Sequence, residues 1–337
     1  MTKFDQHLKL WLALTLGSLV LLTSVAVEGR ILEVKTISLT VSNIEQSVAF
    51  YEKALDFKKV SEQVIANSNY DTLTGIYGTR VKVATLQLGQ ETIQLEQHLT
   101  QQGRPVPVDS RSNDLWFQHF AIVVSDMNKA YRQLQQVSYQ AISSAPQTIP
   151  ESNKGAAGIK AYKFKDPDGH PLELLYFPAD KGRAVWHQAN RPVFEGIDHS
   201  AITISDTDRS LAFYRDLLGF TVAGQGLNTG ATQEQLDNAF GAVVRITGLR
   251  GESTNGPGLE FLQYLTPSGG RATPIDSKTS DIAHAHLVVV VDNLEKLTDT
   301  LTKQGVIFVS SQVTSVNDKR QLMVKDPDGH AVVLQQP

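Results

Sequence analysis

The pentapeptide Asp-Pro-Asp-Gly-His stands at Asp166–His170 and again at Asp326–His330. Each copy closes a segment that begins alike. Thr36-Ile-Ser-Leu-Thr-Val-Ser-Asn-Ile44 is followed by Ser47-Val-Ala-Phe-Tyr51, and His199-Ser-Ala-Ile-Thr-Ile-Ser-Asp-Thr207 by Ser210-Leu-Ala-Phe-Tyr214. The chain is a tandem duplication, so equivalent positions can be compared inside one sequence. Each half divides again. His119-Phe-Ala-Ile-Val-Val-Ser-Asp126 and His286-Leu-Val-Val-Val-Val-Asp292 repeat the run that opens at His199. Four such starts, roughly 80 residues apart, mean four copies of one unit.

The unit reads β-α-β-β-β, which makes the fold class α+β. A short β-branched run is the first strand, and a polar cap residue opens the helix. In the fourth unit Leu294, Leu297 and Leu301 recur at helical spacing, Gly305 stops the helix, and Val306–Val309 is the second strand. The last two strands form a hairpin. Asp166-Pro-Asp-Gly169 suits a type I turn, with Pro second and Gly fourth, so the repeated motif is first of all a turn. Residues 179–193 and 99–114 are rich in Pro, Gly, Gln and charge and read as linkers. The first of these separates a domain at 31–178 from one at 194–337. Residues 146–158 and 223–235 read as polar loops near a pocket mouth.

Apolar residues are 41% of the 337 and charged residues 20%, the balance of a globular protein with two cores. The net charge of -4 and the lack of a Lys/Arg-rich run argue against nucleic acid as a partner. There is no cysteine, which rules out disulfides, thiolate metal sites and a thiol nucleophile. Residues 1–30 stand apart. Lys3 and Lys9 precede an apolar stretch from Leu10 to Val27, and Ser24-Val25-Ala26 offers the small residues that a signal peptidase reads. The expectation is an export signal, or an uncleaved anchor attaching the protein to a membrane, with the domains periplasmic or otherwise outside the cytoplasm.

The first strands align Thr36, His119, His199 and His286, and the last strands align Gln94, Glu173, Glu260 and Val333. Alternate strand residues share a face. Glu173 lies between Leu172 and Leu174, and Glu260 between Leu259 and Phe261, so each carboxylate points away from an apolar pair. A strand histidine taken alone is ordinary, but its recurrence in three of four units points to a metal site. Imidazole and carboxylate suit Fe(II), Mn(II), Ni(II) or Zn(II). His284 shares a face with His286 as a second ligand or a partner to one; His98 and His187 read as solvated.

Four β-α-β-β-β units, the strand His, the Ala-Phe-Tyr helix and the Asp-Pro-Asp-Gly hairpin with Glu173 beyond it resemble the vicinal oxygen chelate superfamily over residues 31–337. That superfamily includes glyoxalase I, extradiol dioxygenases and bleomycin-resistance proteins. The resemblance implies two glyoxalase-like domains whose curved mixed sheets, each built by two paired modules, enclose a metal. It implies a C-terminal site of His199, Glu260 and His286, and a second, weaker N-terminal site of His119, Glu173 and Gln94. The expected activity is that of a divalent-metal enzyme on a small molecule with vicinal oxygens, an extradiol dioxygenase being the first choice, with Fe(II) or Mn(II) ahead of Zn(II) or Ni(II). A glyoxalase, lyase or isomerase reaction is the alternative, and a non-catalytic, small-molecule-binding protein of the bleomycin-resistance kind is the other. For a general base, Tyr264, a displaced carboxylate and a bound hydroxide stand open.

Overall fold

The computed structural model describes residues 29–253 and 255–337, so the apolar stretch read as a signal or anchor lies outside the described residues. Among the described residues no helix is long and apolar enough to cross a membrane. The first module holds β1 (Ile31–Thr40), α1 (Ile44–Leu55), β2 (Lys58–Ile65), α2 (Ser68–Thr74), β3 (Val81–Leu88) and β4 (Glu91–His98). The second holds β5 (Gln118–Val124), α3 (Met127–Leu134), the short β6 (Gln140–Ala141) and β7 (Gln147–Thr148), then β8 (Lys160–Lys165) and β9 (Pro171–Tyr176). The third holds β10 (Phe194–Ile204), α4 (Thr207–Leu211, running on as a π-helical turn), β11 (Thr221–Thr229), α5 (Ala231–Asp237), β12 (Val243–Arg250) and β13 (Gly258–Thr266). The fourth holds β14 (Ala285–Val291), α6 (Leu294–Lys303), β15 (Ile307–Phe308), β16 (Thr314–Val316), β17 (Lys319–Lys325) and β18 (Ala331–Gln336). The β-α-β-β-β unit is thus present four times, with an extra helix in the first and third.

Each main helix starts at a side-chain cap. Asn43, Asp126, Asp206 and Asn293 accept from the amides of Gln46, Lys129, Arg209 and Lys296, relieving one unpaired donor each. The last strand of every module runs parallel beside the first. Two antiparallel seams then join modules. β1 pairs with β14, and β5 pairs with β10. One nine-stranded sheet, sheet A, is therefore made by modules one and four, and the other, sheet B, by modules two and three. This corrects the expected pairing of one with two and three with four. The domains at 31–178 and 194–337 are repeats in sequence, but each contributes half of both sheets.

What holds each sequence half together is the pair of motifs that betrayed the duplication. They touch. Tyr51 of α1 donates its hydroxyl to Asp166 at 3.1 Å, and Tyr214 donates to Asp326 at 3.2 Å. The turns themselves form as expected, with Gly169 N donating to Asp166 O and Gly329 N to Asp326 O. The second aspartate of each turn reaches the neighbouring module, Asp168 accepting from Ser42 N and Oγ, and Asp328 from Ser205 N and Arg209. His170 is buried with Nδ1 2.9 Å from Asp166 Oδ2 and Nε2 2.7 Å from Ile282 O and 3.0 Å from Thr40 O. Both ring nitrogens face acceptors only, so both carry protons.

The stretches that join module one to module two and module three to module four form a reciprocal clasp. Gly103-Arg-Pro-Val-Pro-Val-Asp-Ser110 and Gly270-Arg-Ala-Thr-Pro-Ile-Asp-Ser277 are a further repeat. Arg104 binds Asp276 and Asp281 of the second copy, and Arg271 binds Asp109 and Asp114 of the first. The backbones cross so closely that a Cβ on Gly270 would collide with the carbonyl of Asn113, and one on Gly103 would lie 2.5 Å from Ser280 O.

Burial opposes the charge on His170, but Asp166 outweighs it and raises the imidazole from near 6.5 to about 9. The unfolded chain releases this proton near the ordinary value. The contribution is therefore complete below about pH 6.5 and vanishes as the pH climbs through about 9. Unfolding free energies measured across that range should fall with pH, and less steeply in His170→Asn; an unchanged slope would refute the assignment. Gly270→Ala should lower the melting temperature, whereas Gly155→Ala, with its nearest neighbour at 3.8 Å, should leave it in place.

Candidate metal centre

The concave face of sheet B carries the residues that sequence alignment singled out. Along β9, Leu172 and Leu174 enter the core beneath the helices, and Glu173 emerges on the other face. Register fixes the rest. Ala121 pairs with Glu173, Ala201 with Glu260 and, across the seam, His119 with Ala201. His119 of β5, Glu173 of β9, His199 of β10 and Glu260 of β13 therefore converge, two from each of the middle modules. Glu173 Oε2 lies 3.4 Å from His119 Nε2 and 3.9 Å from His199 Nε2, and Glu260 Oε1 lies 3.7 Å from His199 Nε2. Ligand atoms of His119, Glu173 and His199 all fall within 4.8 Å of one another.

These imidazoles are placed as ligands are. Both ring nitrogens of His119 and Nε2 of His199 are buried without a hydrogen-bond partner, a costly state unless another group completes them. His199 Nδ1 is held by Asp198 Oδ2 at 3.0 Å, which leaves Nε2 as the donor toward the carboxylates. Adjacent strand residues ordinarily face opposite ways. A β-bulge in β10 between Ile197 and His199 makes Asp198 the extra residue in the ladder. Arg250 and Trp186 bind Asp198 in turn, so the linker at 179–193 supplies a support for the site. Hence the linker is more than a spacer.

The electrostatics separate the four groups. Burial lowers His119 to about 4. Burial also opposes charge on His199, but Glu260, Asp198 and Glu173 together raise it to about 9. Burial works against Glu173 as well, yet the two histidines and Lys163 hold it at about 2. Glu260 is shifted upward by burial and by the charge of Glu173, with His199 resisting. It is also the more open carboxylate, its side chain 26% exposed against 7% for Glu173.

Behind the centre, Lys163 stands opposite Glu173 in the ladder and is buried against Asp237 at 2.7 Å. Asp237 also accepts from Tyr264 at 2.6 Å and Gln233 at 2.6 Å. Burial and that aspartate push the Tyr264 phenol well above its usual range. Tyr264, expected as a candidate base, is instead a proton donor in a support network. Residues 223–235, expected as a loop, are instead the end of β11 and most of α5; Asn153 from the stretch at 146–158 donates to Asn228 there at 2.7 Å, beside a cleft of about 500 Å³.

His286 and Gln94 are elsewhere, and the expected grouping is corrected here. Both lie in sheet A, away from His199 and His119. There Thr36, Gln94, His286 and Val333 occupy the four equivalent positions. Tyr70, Leu73, Val288, Met323 and Val333 pack into that concavity and leave about 60 Å³. Glu96, 3.9 Å from His286 Nε2, is satisfied by Ser38 and Tyr70, while His284 contacts His286 at 3.2 Å. His98, expected to be solvated, is buried beside Thr79, and half-buried His187 meets Lys181 O.

Asp198, Lys163 and Asp237 were missed. No period-2 reading places Asp198 on the side of His199, because the bulge that does so has no local signature here. Lys163 gave little signal, being one of three lysines in Lys160-Ala-Tyr-Lys-Phe-Lys165.

The chain can be set beside known proteins on this basis. It is 21% identical over 136 residues to metallothiol transferase FosB of Lysinibacillus sphaericus, covering 40% of this chain and 78% of the relative. Glyoxalase I from Zea mays shares the fold with a TM-score of 0.58 and 15% identity, covering 92% of each chain. A putative dioxygenase from Bacillus subtilis shares it with a TM-score of 0.56 and 13% identity, covering 91% of this chain and 86% of the other. The model of the Glyoxalase/Bleomycin resistance protein/Dioxygenase superfamily matches residues 33–174 and 196–334, and the chain belongs to that superfamily.

Proposed function

We propose that the protein is a divalent-metal-dependent enzyme acting on a small molecule with two vicinal oxygens, by proton transfer of the glyoxalase or isomerase kind. The observation that carries this reading is the convergence of two histidines with unpartnered nitrogens and Glu173 on one buried point, with Glu260 3.7 Å from His199 at its more open side. This donor set fits Fe(II), Mn(II), Ni(II) or Zn(II). His119, Glu173 and His199 would hold the ion, with Glu260 beside it; when bound, the ion supplies Lewis-acid polarisation of substrate oxygens.

The chain's own residues divide the remaining work. Asp198 fixes the tautomer and aim of His199. Glu173, inaccessible and ionised, anchors. Glu260, more open and more readily protonated, moves a proton at a carbon beside the bound oxygens; two carboxylates with diverging acidities are the usual sign of such a division. The dioxygenase reading rested on His199, Glu260 and His286, and loses support with His286 in the other sheet. The apolar segment before residue 31 supports placing the enzyme outside the cytoplasm, as an exported or membrane-anchored protein.

Elemental analysis should find one divalent ion per chain. A His119→Ala, His199→Ala double variant should lack it, and His286→Ala should keep it; metal retained by the double variant would refute the site. Among turnover assays, 2-oxoaldehyde–thiol adducts should react. Glu260→Gln should retain metal and lose activity by about a hundredfold or more, while Glu173→Gln should lose the metal. Oxygen consumption with catechols in place of that turnover would overturn the reaction assigned.

A further inference from the structure

A cleft of about 670 Å³ opens between the two Gly-Arg linkers and the end of sheet A, a volume suited to a small ligand. Tyr77, Pro107, Trp116, Ile307 and Phe308 give it apolar walls. Its charges do not balance. Arg104, Lys278 and Lys325 line it, with Asp281 as the carboxylate. Arg104 already engages Asp281, together with Asp276.

Lys325 and Lys278 then have no carboxylate within ion-pair distance among the described residues. The half-buried Lys325 ammonium, which can donate three hydrogen bonds, makes one, to Ser277 Oγ at 3.1 Å. The hydroxyl of Thr273, also in the lining, is buried with no partner. A cation withdrawn from water beside apolar walls is costly until an anion reaches it. Lys165, which precedes the first Asp-Pro-Asp-Gly-His as Lys325 precedes the second, likewise makes one hydrogen bond, to Ser110 O at 3.1 Å, but it is 6% exposed and lines no such cleft.

We propose that this cleft is a second binding site, separate from the metal centre, for a small aromatic carboxylate. The carboxylate pairs with Lys325 and Lys278, and the ring lies against Trp116, Tyr77 and Phe308. The site is formed by modules one and four with both linkers and Gln118 of β5, and it shares none of the four metal-centre side chains.

Calorimetric titration of the full chain with 2-naphthoate, and with 2-naphthamide as the uncharged counterpart, tests this. Saturable naphthoate binding is expected, with the amide about tenfold weaker or worse. Lys325→Met should weaken the acid by a similar factor and leave the amide unaffected. Ile307 is 64% exposed at the rim, so Ile307→Glu introduces a repelling charge without disturbing the core, and it should also weaken the acid. The His119→Ala, His199→Ala variant should bind naphthoate as the parent does. No saturable binding, equal affinity for acid and amide, or indifference to both cleft variants would overturn the proposal. Loss of binding in the metal-centre variant would overturn it too, by locating naphthoate there.

Discussion

The antiparallel seam between β5 and β10 is the constraint on which the centre depends. It pairs Ala201 with His119 and His199 with Ala121, so two imidazoles from different halves of the chain face each other diagonally across one ladder. The parallel neighbours β9 and β13 then deliver one carboxylate from each flank. A slip of either strand by one residue would turn its histidine away from the other, into the core beneath the helices. That register is secured at a distance. The linkers leading into β5 and β14 exchange arginines and aspartates, and the bulge at Asp198 anchors β10 through Arg250 and Trp186.

Much of this was legible in the sequence. Period-2 alternation around Glu173 and Glu260 placed both carboxylates on the concave face, and repeat alignment found the four equivalent positions in each sheet, though not their grouping. The Asp-Pro-Asp-Gly turns formed where their residue types required. Partnership was not legible. Whether β5 pairs with β1 or with β10 leaves every local pattern unchanged, since any first strand presents the same alternation to any other. The information lay in the linkers instead, in the repeated Gly-Arg and Asp spacing that reads as solvated loop until the two copies are seen to bind each other. Asp198 was hidden for a different reason. Its role arises from one extra residue in a ladder, and a bulge has no signature at single-residue resolution in an apolar strand.

The two sheets began from the same unit, and their concave faces have diverged by a simple exchange of volume and charge. In sheet B, the positions beside the ligands are small, Ala121 and Ala201, so the polar groups stay within reach of a common point. In sheet A, Val288 stands where Ala121 does, Met323 where Lys163 does and Val333 where Glu173 does. Helix α2 completes the filling with Tyr70 and Leu73. His286 survives there, but its counter-charge, Glu96, is committed to Ser38 and Tyr70. A histidine left at an ancestral position is therefore weak evidence of ligation unless its neighbours kept their space.

The hairpin clamps followed the opposite course. Both retain Asp, Pro, Asp, Gly and His, and both retain their tyrosine partner, although one closes a polar sheet and the other a packed one. Their constancy within the chain tracks docking between modules. Asp166 and Asp326 each accept backbone amides inside the turn and a phenol from the neighbouring module, so deleting either carboxylate would strand several buried donors at once. A network that costs so much to break in part is kept whole, while the concave face, whose residues meet mainly one another, is free to change its chemistry. The conspicuous repeat in this sequence thus marks how the modules are joined, and the chemistry lies in the less regular positions that the joining brings together.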